Sequence, residues 1–143
     1  MANKKDTSRL LSELERFGDF KSFYMENAQS VGAAPLSDSL ARLLEAKGLT
    51  KAEVIERAEL SEIYAYQIFS GVRKNPQLKK LLCLTVAMGL DYKETQDLLK
   101  SSGFPQLYVK RPFDCVVAYG ICHGFSVSQI NELLFEYGEE TLG

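Results

Sequence analysis

From Leu36 onward, apolar residues return every three or four positions in short blocks, most of them closed by a glycine and reopened by a residue that can cap a helix. Leu36, Leu40, Leu43 and Leu44 make one stripe that stops at Gly48. Thr50 and Glu53 form a capping box ahead of Val54, Ile55 and Ala58, and the pattern breaks at Glu59-Leu60. Ser61 caps the next block, in which Ala65, Ile68 and Phe69 share a face. Asn75-Pro76 reads as a fourth start, with Leu78, Leu81, Leu82 and Val86 inward until Gly89. Asp91 and Glu94 open a fifth helix carrying Leu98 and Leu99 and ended by Gly103. Pro112 opens a sixth, and Ser126 with Gln129 caps a seventh containing Ile130, Leu133 and Leu134. Upstream, Leu10, Leu11, Leu14, Phe17, Phe20 and Tyr24 predict one docked amphipathic helix, followed by a linker, AQSVGAAP. No segment alternates long enough to be a strand, so the pattern predicts an all-α protein.

Composition narrows the picture. A chain of 143 residues, 45% hydrophobic and 25% charged, suits one globular unit. The net charge of −2 provides no general attraction for nucleic acid, so any such contact has to come from a local patch. No apolar run is long enough to span a membrane and the N-terminus carries no secretory pattern, which places the protein in the cytoplasm with no membrane partner. Cys83, Cys115 and Cys122 form no C-x-x-C pair and read as reduced, buried thiols. His123 stands where a helix ends, a place for capping or surface exposure. The chain offers no metal-ligand set, no cofactor motif and no nucleophile paired with a base, so no enzyme is expected. Gly89–Gly103 and Gly124–Gly138 share one pattern, which common capping needs or a helix-pair repeat would both produce.

The block from Ser61 to Pro76, SEIYAYQIFSGVRKNP, carries the candidate chemistry. Opposite its buried face lie Ile63, Gln67 and Ser70, flanked by Tyr64 and Tyr66. The following stretch holds Arg73, Lys74, Lys79 and Lys80 with no acid among them, a local positive strip suited to phosphate. Leu49-Thr50-Lys51-Ala52-Glu53-Val54, then Ala58, Leu60-Ser61, Tyr64, Ile68, Gly71 and Arg73, resembles the helix-turn-helix of phage repressor and Cro-like regulators, the Xre family.

That resemblance covers about Leu36 to Gly103 and implies a lambda-repressor-like five-helix DNA-binding core at 36–103. Around it stand an N-terminal helix and linker (1–35) and a C-terminal helical extension (104–143) packed on the same unit. It further implies that helix 61–70 enters the major groove of double-stranded DNA, with Glu62, Ile63, Gln67 and Arg73 at base-reading positions. Lys51, Ser61, Tyr64, Tyr66, Ser70, Lys74 and Asn75 then fall near the DNA backbone, and a homodimer formed through the N-terminal helix or the tail is expected. The sequence departs from the family at Glu59, where the turn usually has glycine, and at Glu62, which brings negative charge toward phosphate. Lys110 and Arg111 beside Asp114 read as a surface charge cluster, and the acidic end from Glu132 to Glu140 suits a protein partner of the C-terminal helices. The rival expectation is an interaction module whose aromatic face at Ile63, Tyr64, Tyr66 and Gln67 holds a protein and no DNA.

Overall fold

The computed structural model describes residues 7–27 and 35–143, and every regular element among them is an α-helix. Among the described residues no helix is long and apolar enough to cross a membrane, and no group of three or more His, Cys, Asp or Glu is placed to hold a metal ion. The chain divides into two compact units, Met1–Ala33 and Ala34–Gly143.

In the first unit the expected single helix is two: α1 (Thr7–Arg16) and α2 (Phe20–Asn27). Gly18 favours a helix end, and Asp19 accepts a hydrogen bond from the Ser22 amide at 3.4 Å, opening a new helix in place of continuing the old one. Phe17 and Phe23 meet edge to face at 5.7 Å. Of the expected stripe, Leu11, Leu14, Phe20 and Tyr24 are exposed. Of the expected linker, residues 28–34 lie outside the described residues.

The second unit contains α3 (Leu36–Lys47), α4 (Lys51–Ala58), α5 (Glu62–Ser70), α6 (Leu78–Ala87), α7 (Tyr92–Ser101), α8 (Pro112–Cys122) and α9 (Val127–Glu136). Capping boxes at Thr50/Glu53, Asp91/Glu94 and Ser126/Gln129 start three of them. The stripes meet in one core: Leu40, Val54, Ile68, Leu81, Leu82, Leu84 and Leu99 are fully buried, and Val117, Ile130 and Leu134 join them from the tail. Helix α5 packs on α3 and α4, and α4 packs on α6. The pair α8–α9 closes the unit through contacts of α8 with α7 and of α9 with α6.

Three local expectations are corrected. Asn75 caps no helix: α6 starts at Leu78 with Gln77 at its N-cap, because Pro76 turns into the core and the chain enters the helix only after it. Only Cys83 is buried among the thiols, whereas Cys115 and Cys122 are exposed on α8. Asp114 belongs to no surface cluster. It is buried, and its Oδ2 accepts the Tyr108 amide at 2.8 Å, with Arg111 Nη1 at 3.7 Å. This bond holds the loop before α8. The same loop is gripped from α7 by Gln96, whose Oε1 accepts the Leu107 amide (2.8 Å) while its Nε2 donates to the Leu107 carbonyl (2.9 Å).

Candidate functional site

The turn between α4 and α5 places Glu59 at φ 56°, the one non-glycine residue with positive φ among those described. Its carboxylate accepts the Ser128 hydroxyl of α9 at 2.6 Å, which ties the strained turn to the tail. Ser61 then caps α5, its Oγ accepting the Tyr64 amide at 3.4 Å. With Ala65, Ile68 and Phe69 buried, the helix turns Glu62, Ile63 and Tyr66 outward, and Ile63 is 73% exposed.

An open groove of about 550 Å³ runs along this face, lined by Lys51, Glu62, Ile63, Tyr66, Gln67 and Ser70. Five of the six come from α5, and Lys51 is the first residue of α4, so the start of one helix and the outer side of the next face a common space. Lys51 Nζ stands 6.0 Å from the centre of the Phe69 ring. Ser70 serves the end of its own helix: its hydroxyl donates to the Gln67 carbonyl (3.2 Å) and accepts the Val72 amide (3.4 Å).

Arg73 is held from three directions. Gly71, at φ 86°, reverses the chain so that the Arg73 amide donates to the Gln67 carbonyl at 3.0 Å. The guanidinium lies 4.2 Å from the centre of the Tyr64 ring, and its Nε and Nη2 donate to Gln67 Oε1 at 3.2 and 2.9 Å. Tyr64 is fixed in turn, its hydroxyl accepting the Gln77 amide at 3.0 Å. Since a guanidinium carries five N–H donors, this clamp leaves the outer edge, Nη1 with the second proton of Nη2, unspent. Both lone pairs of Gln67 Oε1 are used, so Gln67 cannot offer an adenine the paired acceptor and donor of a bidentate contact without releasing Arg73.

Of the residues expected at the interface, Lys51, Glu62, Ile63, Tyr66, Gln67 and Ser70 share the groove, and Arg73 and Tyr64 join them through the clamp. Ser61 sits at the helix start, and Lys74 and Asn75 are exposed beyond Gly71. The positive strip is shorter than expected. Lys79 is ion-paired with Glu140 and lies 5.4 Å from the centre of the Phe113 ring, so its charge is engaged by the tail. The clamp itself had a partial signal in the sequence, a glycine that turns Arg73 back toward a glutamine one and a half turns earlier. The Lys79–Glu140 pair, 61 residues apart, had none. No family model, curated protein or solved structure matches the chain.

Proposed function

We propose that the second unit is a non-catalytic, sequence-specific DNA-binding regulator acting in the cytoplasm, in which α3–α7 serve as a lambda-repressor-like core. In this reading α5 enters the major groove, while the start of α4 lies against the backbone. The observation that carries it is the clamped Arg73. A guanidinium pre-set by Gln67 and Tyr64, with its outer edge free beside an exposed helix face, matches the paired acceptors O6 and N7 of guanine. Gln67 then acts as a positioning residue for Arg73, Ile63 supplies apolar contact to a thymine methyl, and Lys51 and Lys74 meet phosphates.

The protein-binding alternative has its own support. Lys79 is ion-paired with Glu140, Glu62 lines the groove, and Ile63 and Tyr66 are exposed side by side. Selection of bound sequences from random duplexes at two salt concentrations separates the readings. The DNA reading expects a defined motif with affinity falling steeply as salt rises. Arg73→Ala is expected to lose about 1–3 kcal/mol at one guanine position, Gln67→Ala a smaller amount at that same position, and Lys74→Ala affinity for all sequences alike. Absence of a motif, with weak binding at low salt, assigns the face to a protein.

A further inference from the structure

After the turn at Gly138 the chain has no regular structure, yet it is fastened closely to α6. Glu140 is ion-paired with Lys79. Leu142 is fully buried, its amide donating to Asn131 Oδ1 at 2.7 Å and its carbonyl accepting the Cys83 thiol at 3.9 Å. Gly143 lies against Lys80, since a Cβ added to it would stand 3.2 Å from Nζ. Lys79, Lys80 and Cys83 share one side of the first two turns of α6, so residues 139–143 form a strap along it. That end of α6 adjoins the Arg73 clamp. The Gln77 amide donates to the Tyr64 hydroxyl at 3.0 Å, the Tyr64 ring lies against the Arg73 guanidinium, and Lys79 follows Gln77 by two residues. No side chain caps α6, and its first turn carries Lys79 and Lys80 with no acid, so a phosphate and the Glu140 carboxylate are drawn to the same place.

We infer that the strap is autoinhibitory: Glu140 holds Lys79 in the place of a DNA phosphate, and has to leave before a duplex can engage that lysine. Its role rests on the DNA reading of α5, whose grip it regulates. The two ends of the contact differ in a way that suits exchange. Leu142 is an anchor withdrawn from water, whereas the Glu140 side chain is 86% exposed. An ion pair so exposed is weak by itself and is screened by salt. Anchoring at Leu142 keeps the carboxylate at a high local concentration beside Lys79, so the pair persists in the free chain. A duplex presents one negative charge per roughly 1.7 Å of its axis and displaces a single carboxylate without unseating Leu142. Release therefore adds one phosphate contact. Because a lysine on phosphate carries no base information, affinity rises for all sequences alike and the preferred motif stays the same.

Titration of the full chain onto a labelled mixed-sequence duplex at several salt concentrations tests this, with circular dichroism as the check that each variant is folded. Glu140→Gln is expected to bind more tightly than the wild type at low salt. Its slope of log affinity against log salt should be steeper by about 0.9, so that it loses roughly 3.5-fold more affinity between about 50 and 200 mM salt. Glu136→Gln removes the same charge from the exposed end of α9 and is expected to leave the slope unchanged. In a Lys79→Gln background Glu140→Gln is expected to have no effect, since no ammonium is left to free. Equal slopes for Glu140→Gln and the wild type, with both retaining the duplex, overturn the autoinhibitory strap and leave the DNA reading standing. A gain shared by Glu136→Gln, or one that survives Lys79→Gln, reports bulk charge and overturns it as well. Absence of binding by every protein at low salt, Glu140→Gln included, removes the DNA reading and the strap's role with it.

Discussion

Glu59 holds a left-handed backbone that costs a residue with a Cβ about 1–2 kcal/mol, yet its carboxylate meets Ser128 at 2.6 Å. A hydrogen bond to a charged carboxylate contributes about 1.5–3 kcal/mol, so the bond offsets the strain with little left over. Glu59→Gly is therefore expected to change stability by less than about 1 kcal/mol. In a Ser128→Ala background the same change should stabilise by about 1 kcal/mol, since only the strain is left to relieve. Urea unfolding of the four proteins measures the coupling, and strict additivity would mean that the turn and α9 are not linked through this bond. The sequence already marked Glu59 as standing where glycine is usual. Its partner 69 residues later was hidden, because a serine at the second position of a helix carries no mark of what it faces.

At the scale of elements, local chemistry was readable where it was self-contained. Capping boxes and the glycine stops at Gly48, Gly89 and Gly103 depend on a few neighbouring residues, and the helices they bound stand where the pattern puts them. Asn75-Pro76 misled because the start of α6 is decided by tertiary packing: Pro76 is buried, and the Gln77 amide is taken by the Tyr64 hydroxyl. The outer face of α5 was likewise legible from its period, while the clamp on Arg73 depended on a turn that brings two side chains together. The α8–α9 pair rests on a contact that the pattern did not show at all. A methyl group on Gly120 would come within 2.4 Å of Ile130 Cγ1 and 2.8 Å of its Cδ1. In an open helix Gly→Ala stabilises by about 0.5–1 kcal/mol, but forcing a carbon into a packed interface costs about 1–3 kcal/mol. Gly120→Ala is thus expected to destabilise, and Ile130→Ala to absorb much of that cost when the two are combined. A rise in melting temperature for Gly120→Ala alone would place α8 and α9 further apart than described.

Across the whole molecule, the tail is bound back onto the helical core near the charges expected to serve DNA. Lys79 pairs with Glu140, the Leu142 amide donates to Asn131 Oδ1 at 2.7 Å, and Leu142 is fully buried with its carbonyl 3.9 Å from Cys83 Sγ. A net charge of −2 therefore reflects more than a diffuse balance, since part of the acidic end spends the positive strip of α6. Cys83 reports on this packing through pH. Burial, with Glu59 adding to it and Lys80 opposing it, raises its thiol from 9.0 to about 11. Below pH 9.0 the thiol is protonated whether the chain is folded or not, so its contribution to stability is constant there. Between pH 9.0 and about 11 the unfolded chain ionises first, and stability falls as pH rises. The comparison is with Cys83→Ala, which is expected to lose stability less steeply across this window. Parallel slopes for the two proteins, measured by urea unfolding at closely spaced pH values, would mean that the thiol is hydrated and that the tail does not seal α6. A steeper fall in the wild type means that the folded chain keeps Cys83 buried and protonated across this window.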